Sequence, residues 1–113
     1  MEKLKKLVAV LDATHVADIV VIDMRQSSPL YDFMVVTTAR NERIIAAVLR
    51  ELKDLGAEDE FTLKFIEGHT GGEWVLADFG DIIVHVFSEE MRTRYHLEKL
   101  WGDAQQIALS ELL

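Results

Sequence analysis

The sequence predicts a single α/β (α+β) domain: a mixed sheet of about five strands with helices packed on it. Three observations carry this. Short β-branched and aromatic runs recur along the chain, bounded by turn residues. Two stretches have apolar residues at helical spacing. The elements interleave as α-β-β-α-β-β-β-α without strict alternation, which a mixed sheet with helices packed on it satisfies.

The elements follow in order. Leu4, Leu7, Val8 and Leu11 fall at i, i+3, i+4, i+7, one face of a helix, with Lys3, Lys5 and Lys6 off that stripe. Ile19 to Ile22, between Asp18 and Asp23, reads as a buried strand. Gln26-Ser27-Ser28-Pro29 is a turn. Pro29 cannot donate to a ladder, so the next strand, Phe33 to Thr38, begins after it. Asn41 is a cap for a helix whose stripe is Ile44, Ile45, Val48, Leu52 and Leu55, and Gly56 stands where a terminating glycine would. Phe61 to Ile66 alternates as a half-exposed strand. Gly68-His69-Thr70-Gly71-Gly72 is a hairpin loop. Trp74 to Ala77 and Ile82 to Phe87 are strands joined by the tight turn Asp78-Phe79-Gly80-Asp81. Ser88 starts a helical region running through Trp101. Residues 1–104 form the domain, and 105–113 are expected to add a short helix.

At 113 residues the chain is one domain, with half its residues hydrophobic and one proline. The absence of cysteine excludes a disulfide framework, a thiolate metal site and a cysteine nucleophile. The first residues lack the apolar run of a signal peptide, and no stretch approaches a membrane span, so a cytoplasmic protein is expected. The net charge is −8. Glu51 to Glu90 holds eleven acidic residues against Lys53 and Lys64, a net −9. Such a surface repels a phosphate backbone and suits a basic protein partner, or serves solubility alone.

The catalytic readings are weak. Asp78-Phe79-Gly80 spells the magnesium-binding triplet of protein kinases, but no glycine-rich or catalytic loop accompanies it. Asp78 and Asp81 flank a turn, where aspartate is favoured for backbone reasons. The glycine-rich loop leads into a strand rather than a helix N-terminus, so it is a turn and not a phosphate cradle. His15, His69, His85 and His96 show no metal-ligand spacing, and His85, inside the most apolar strand, reads as a packed, hydrogen-bonded residue. No cofactor or metal is expected. Trp74, Tyr95 and Trp101 are either core or interface aromatics, and Trp74, starting a strand beside a loop, lies near the surface.

The run Glu73-Trp74-Val75-Leu76-Ala77-Asp78-Phe79-Gly80-Asp81-Ile82-Ile83-Val84-His85-Val86-Phe87, followed by Glu90, Arg92, Tyr95 and Leu97-Glu98-Lys99-Leu100-Trp101, resembles the ribosomal silencing factor family, the Iojap-related proteins. Asp18-Ile19-Val20, Asp23, Ser27-Ser28 and Asp32-Phe33-Met34-Val35-Val36 match it too, so the resemblance spans roughly residues 1–104. The chain departs from it at Thr38-Ala39-Arg40-Asn41, where the family usually has Thr-Gly and small polar residues.

The resemblance implies a nucleotidyltransferase-like fold and no enzymatic activity. It also implies binding to large-subunit ribosomal protein fourteen, so that subunit joining is blocked and translation repressed. The partner contacts it implies are Trp74, Asp78, Asp81, Tyr95, Lys99, Leu100 and Trp101. The alternative is a metal-dependent nucleotidyl or phosphoryl transferase using Asp78 and Asp81, although the chain has no Asp-x-Asp pair. A homodimer through a sheet edge is compatible with the sequence.

Overall fold

A computed structural model describes residues 1–58, 60–69, 71–94 and 105–113. The elements are α1 (Glu2–Ala13), β1 (Ala17–Asp23), β2 (Phe33–Ala39), α2 (Glu42–Leu55), β3 (Phe65–Glu67), β4 (Trp74–Asp78), β5 (Ile82–Ser88), α3 (Glu89–Arg94) and β6 (Gln106–Ile107), with a 3-10 turn at Leu109–Glu111. The strands form one sheet in the order β3-β4-β5-β2-β1-β6. β2 and β5 pair in parallel and every other neighbour is antiparallel, so the sheet is mixed as expected.

Side chains alternate across a sheet with period two, and here the two faces are used differently. Val35, Val75, Ala77, Ile82, Val84 and Val86 turn toward α1 and α2 and build the main core. The helices answer with Leu4, Leu7, Val8 and Leu11 from α1, and Ile45, Val48, Leu49, Leu52 and Leu55 from α2. Ile44, expected on that stripe, sits at its half-buried margin, and Leu49 takes a core place. The opposite face carries a smaller cluster of Val36 and Phe87 with Val20, Met34 and Met91, partly covered by α3.

Two caps operate as the sequence implies. The Asn41 side chain accepts from the Ile44 amide at 3.0 Å, and Ser88 Oγ accepts from the Met91 amide at 3.0 Å, so each satisfies a helix-end donor. Arg92 then locks α3 to the sheet. Its buried guanidinium donates to Thr38 Oγ1 at 2.6 Å and to the Asp18 carbonyl at 3.1 Å. Asp18 stands in a bulge of β1, where the register slips between Ala17 and Val20 and its own φ is 51°.

Three expectations are corrected. Gly56 caps α2 after Leu55 at the expected place, but not in a left-handed conformation, because its φ is −64°. It is needed for space, since a Cβ there would lie 2.6 Å from Leu63 Cβ. Gly56→Ala is therefore expected to destabilise the fold by about 1–3 kcal/mol through overpacking, read as a lowered urea midpoint with an unchanged slope. A second correction concerns Phe61 to Ile66. Strand pairing is confined to Phe65–Glu67, because Phe61 turns away to fill the core against Phe79, ring centroids 5.9 Å apart and nearly perpendicular.

The third correction is the chain end. The short helix expected there is confined to the 3-10 helix Leu109–Glu111; before it Gln106–Ile107 adds a sixth strand beside β1, and after it Leu112 is buried in the main core. The helical region expected through Trp101 is seen as α3 to Arg94, and its remainder lies outside the described residues.

Candidate functional site

β4 aligns Trp74, Leu76 and Asp78 on the sheet face opposite α1 and α2, because i, i+2 and i+4 share a face. Register carries this face across the neighbouring strands. Trp74 pairs with Phe87, Leu76 with His85 and Asp78 with Ile83. On the other side Glu67 pairs with Leu76 and Phe65 with Asp78. Two large apolar side chains stay open here, Trp74 and Phe65, each 44% exposed.

The tryptophan is held rigidly. Its indole, the His85 ring and the Phe87 ring are mutually near-parallel, with centroids 5.7–5.9 Å apart. Trp74 Nε1–H donates to His85 Nδ1 at 3.1 Å. The histidine thus has the packed, hydrogen-bonded role read from the sequence, with Nδ1 an unprotonated acceptor. The three near-parallel rings lie side by side and confine the indole while Trp74 stays 44% exposed, so little side-chain entropy remains to be lost on binding.

Burial depresses the His85 pKa below its ordinary 6.5, because the charged ring is desolvated. The fold therefore disfavours the imidazolium while the unfolded chain accepts the proton freely. Stability is complete above about pH 6.5 and falls as the pH drops through that unfolded value toward the lower folded one. Chemical denaturation at pH 7.5 and pH 5 should show this loss. In His85→Phe, which keeps the ring stack, the part of the pH dependence due to this residue should vanish.

The turn at the far end of β4 is braced by the carboxylate of Asp78. Asp78 is 7% exposed, and its Oδ1 accepts from the Gly80 amide at 2.8 Å. Gly80 has φ +93°, a conformation that glycine adopts without strain. Asp78 Oδ2 accepts from the Tyr31 hydroxyl at 2.8 Å, and this bond raises the Tyr31 pKa and keeps the phenol a donor. Asp81 is turned toward α1, where Lys3 Nζ donates to its Oδ1 at 2.6 Å. Its carbonyl accepts from the amides of Asp32 and Phe33, joining the β1–β2 loop to the turn. The carboxylates that a two-metal reading would employ are thus each bonded to internal donors. No group of three or more His, Cys, Asp or Glu suited to a metal occurs among the described residues.

Of the expected contact residues, Trp74 and Asp78 share one face, about 13 Å apart at strand rise, and Asp81 follows at the turn. Tyr95, Lys99, Leu100 and Trp101 lie outside the described residues. Sequence reasoning missed Phe65 and Tyr31. Phe65 was detectable as an aromatic near the end of an alternating run. Tyr31 gave no local signal, since its bond to Asp78 spans 47 positions.

The arrangement defines a class: a small mixed-sheet α/β domain with one face sealed by helices and the other displaying a rigid aromatic patch. The chain belongs to the family described as ribosomal silencing factor during starvation, which it matches over residues 1–113, the chain end included. It is 35% identical over 112 residues to the ribosomal silencing factor of Halalkalibacterium halodurans, covering 99% of this chain and 96% of that protein. It is 39% identical over 101 residues to that of Bacillus subtilis, covering 89% and 86%. The chloroplastic Iojap protein of Zea mays is 36% identical over 93 residues, and the matched part is 81% of this chain but 40% of the plant protein.

The fold agrees. A crystal structure from Bacillus halodurans superposes with a TM-score of 0.78 at 32% identity, covering 93% of this chain and 95% of that one. One from Chromobacterium violaceum gives 0.74 at 33% identity, covering 89% and 84%. Membership places the chain among ribosome-directed regulators of translation.

Proposed function

We propose that this chain binds the large ribosomal subunit through ribosomal protein fourteen and sterically blocks joining of the small subunit, without catalysing a reaction. It would act in the cytoplasm, where subunits exchange. The observation that supports this most is the Trp74 patch. A tryptophan held by neighbouring rings and one hydrogen bond, and 44% exposed on the sheet face that α3 covers only in part, is the kind of anchor that dominates binding energy at protein interfaces. Phe65, opposite Asp78 at the other end of β4, is a second exposed apolar side chain on this face, and Leu30 in the β1–β2 loop is 74% exposed.

Charge and size support the same reading. The acidic stretch from Glu51 to Glu90 includes β3, β4 and β5, the strands that carry the patch. An acidic surface suits a basic ribosomal protein, raising the encounter rate and suppressing wrong partners. The body measures 33 × 33 × 25 Å, large enough to hold apart two surfaces that must touch. Tyr95, Lys99, Leu100 and Trp101 complete the proposed contact set from the segment after α3.

Binding of purified ribosomal protein fourteen, measured by calorimetry at two salt concentrations, tests the partner. The reading predicts a one-to-one complex that weakens as salt rises. Absence of a complex, with large subunits still binding the chain, would transfer the site to another ribosomal component.

A further inference from the structure

α1 and α2 seal one face of the sheet, yet their own outer surface is not closed. Between them runs a groove of about 760 Å³. Its floor is apolar and shallow, made by Ala9, Val10 and Ala13 of α1 and Ile44, Ala46 and Ala47 of α2. Its rim is cationic: Lys6, Arg43 and Arg50 stand there against the single carboxylate of Glu51. In a chain of net charge −8 this is a local reversal of sign. Lys6 is already paired with Glu58 and Glu60. Arg43 and Arg50 are exposed and have no carboxylate partner among the described residues.

We propose that this groove is a docking site for an acidic amphipathic helix of a second protein. Arg43 and Arg50 are seven residues apart on one helix, so they stand about 10.5 Å apart along its face. A helix laid in the groove with carboxylates at the same seven-residue spacing meets both. Alanines on the floor let helix axes approach to the short end of the usual 8–10 Å range, and leucines of the incoming helix fill the space between Val10 and Ile44. Recognition of this type reads anchors at i, i+3, i+4 and i+7. The docked helix would extend the α1–α2 layer to three helices. A second copy of this chain is the poorer occupant, because a symmetric contact sets Arg43 and Arg50 against their own equivalents. The site lies on the face opposite Trp74 and does not depend on what covers that residue.

The test uses the 15N-labelled full chain and a panel of synthetic 20-residue helical peptides with leucine at i, i+3, i+4 and i+7 and glutamate at seven-residue spacing. Matched peptides carry lysine in place of the glutamates. The expected result is amide shift changes confined to residues 9–15 and 43–51 with the acidic peptides and none with the lysine peptides. The doubly substituted Arg43→Ser, Arg50→Ser chain should bind at least tenfold more weakly while keeping its own spectrum and its large-subunit binding. The proposal is overturned by no shifts with any acidic peptide, by equal binding of the lysine peptides, or by shifts centred on the Trp74 face. Self-association that the double substitution abolishes also overturns it, since the groove would then belong to a second copy.

Discussion

Replacing Phe61 with alanine is expected to cost about 3–5 kcal/mol of folding stability, the usual loss when a buried aromatic is truncated in a core that cannot collapse around it. Phe61 is fully buried, edge-on to Phe79. Lys3 Nζ and Lys6 Nζ stand 5.4 and 5.8 Å from its ring centroid. Those two lysines also reach Asp81 on the β4–β5 turn and Glu58 and Glu60 after α2. The ring therefore fills the space where α1, the chain after α2 and the turn converge, and none of these backbones is free to move in. A domain of this size has roughly 5–15 kcal/mol in all, so a large fraction would be lost. Urea denaturation measures it. A loss under about 1 kcal/mol would show that the site relaxes and that the convergence is not rigid. Phe61→Leu, which keeps most of the volume, should cost less than about 1.5 kcal/mol.

Trp74→Ala should behave in the opposite way, with little effect on the fold and a large one on binding. Nearly half of the indole is exposed, and its one hydrogen bond lies at the surface, where water replaces it at His85. Binding to large subunits should weaken by about 2 kcal/mol or more, roughly thirtyfold. Trp74→Phe keeps stacking area but not the bond to His85, and should fall between the two. Wild-type affinity in a well-folded Trp74→Ala chain would remove the patch from the interface and leave the segment after α3 to carry it.

The legible parts of the fold were those set by local patterning. The α1 stripe of Leu4, Leu7, Val8 and Leu11, the Asn41 cap and the β-branched runs around Val20, Val35 and Val84 each declare themselves within a few residues. What failed was decided at long range. Phe61 has the alternation of a strand, but it is worth more as a wedge against Phe79 than as a ladder residue, so pairing starts only at Phe65. Gly56 reads as a helix terminator and does cap α2, but the demand that keeps it glycine comes from Leu63 and not from a left-handed conformation. The chain end reads as a short helix, but only the 3-10 helix Leu109–Glu111 is one, and Gln106–Ile107 is a strand. The open edge of β1 offers unpaired backbone groups, and two residues of strand satisfy them.

The site divides in the same manner. Trp74 near the surface, a hydrogen-bonded His85 and Asp78 serving a turn followed from position and residue type, whereas the Asp81 carboxylate reaches Lys3 of α1. The joining of Trp74, His85 and Phe87 into one stack needed the β4–β5 register. Tyr31 on Asp78 needed the loop that Asp81 anchors. Arg92, which entered only as a matching position of a family, and Asp18, read also as the boundary of the first strand, prove to hold α3 on the sheet through a bulge carbonyl that no sequence pattern announces.

The central claim is that one body on the large subunit prevents the small subunit from joining it. Purified large and small subunits are mixed with and without a molar excess of the chain and separated on a sucrose gradient. The account predicts that the joined-ribosome peak disappears and that the chain sediments with free large subunits alone. An undiminished joined peak, or the chain travelling with joined ribosomes, would contradict it.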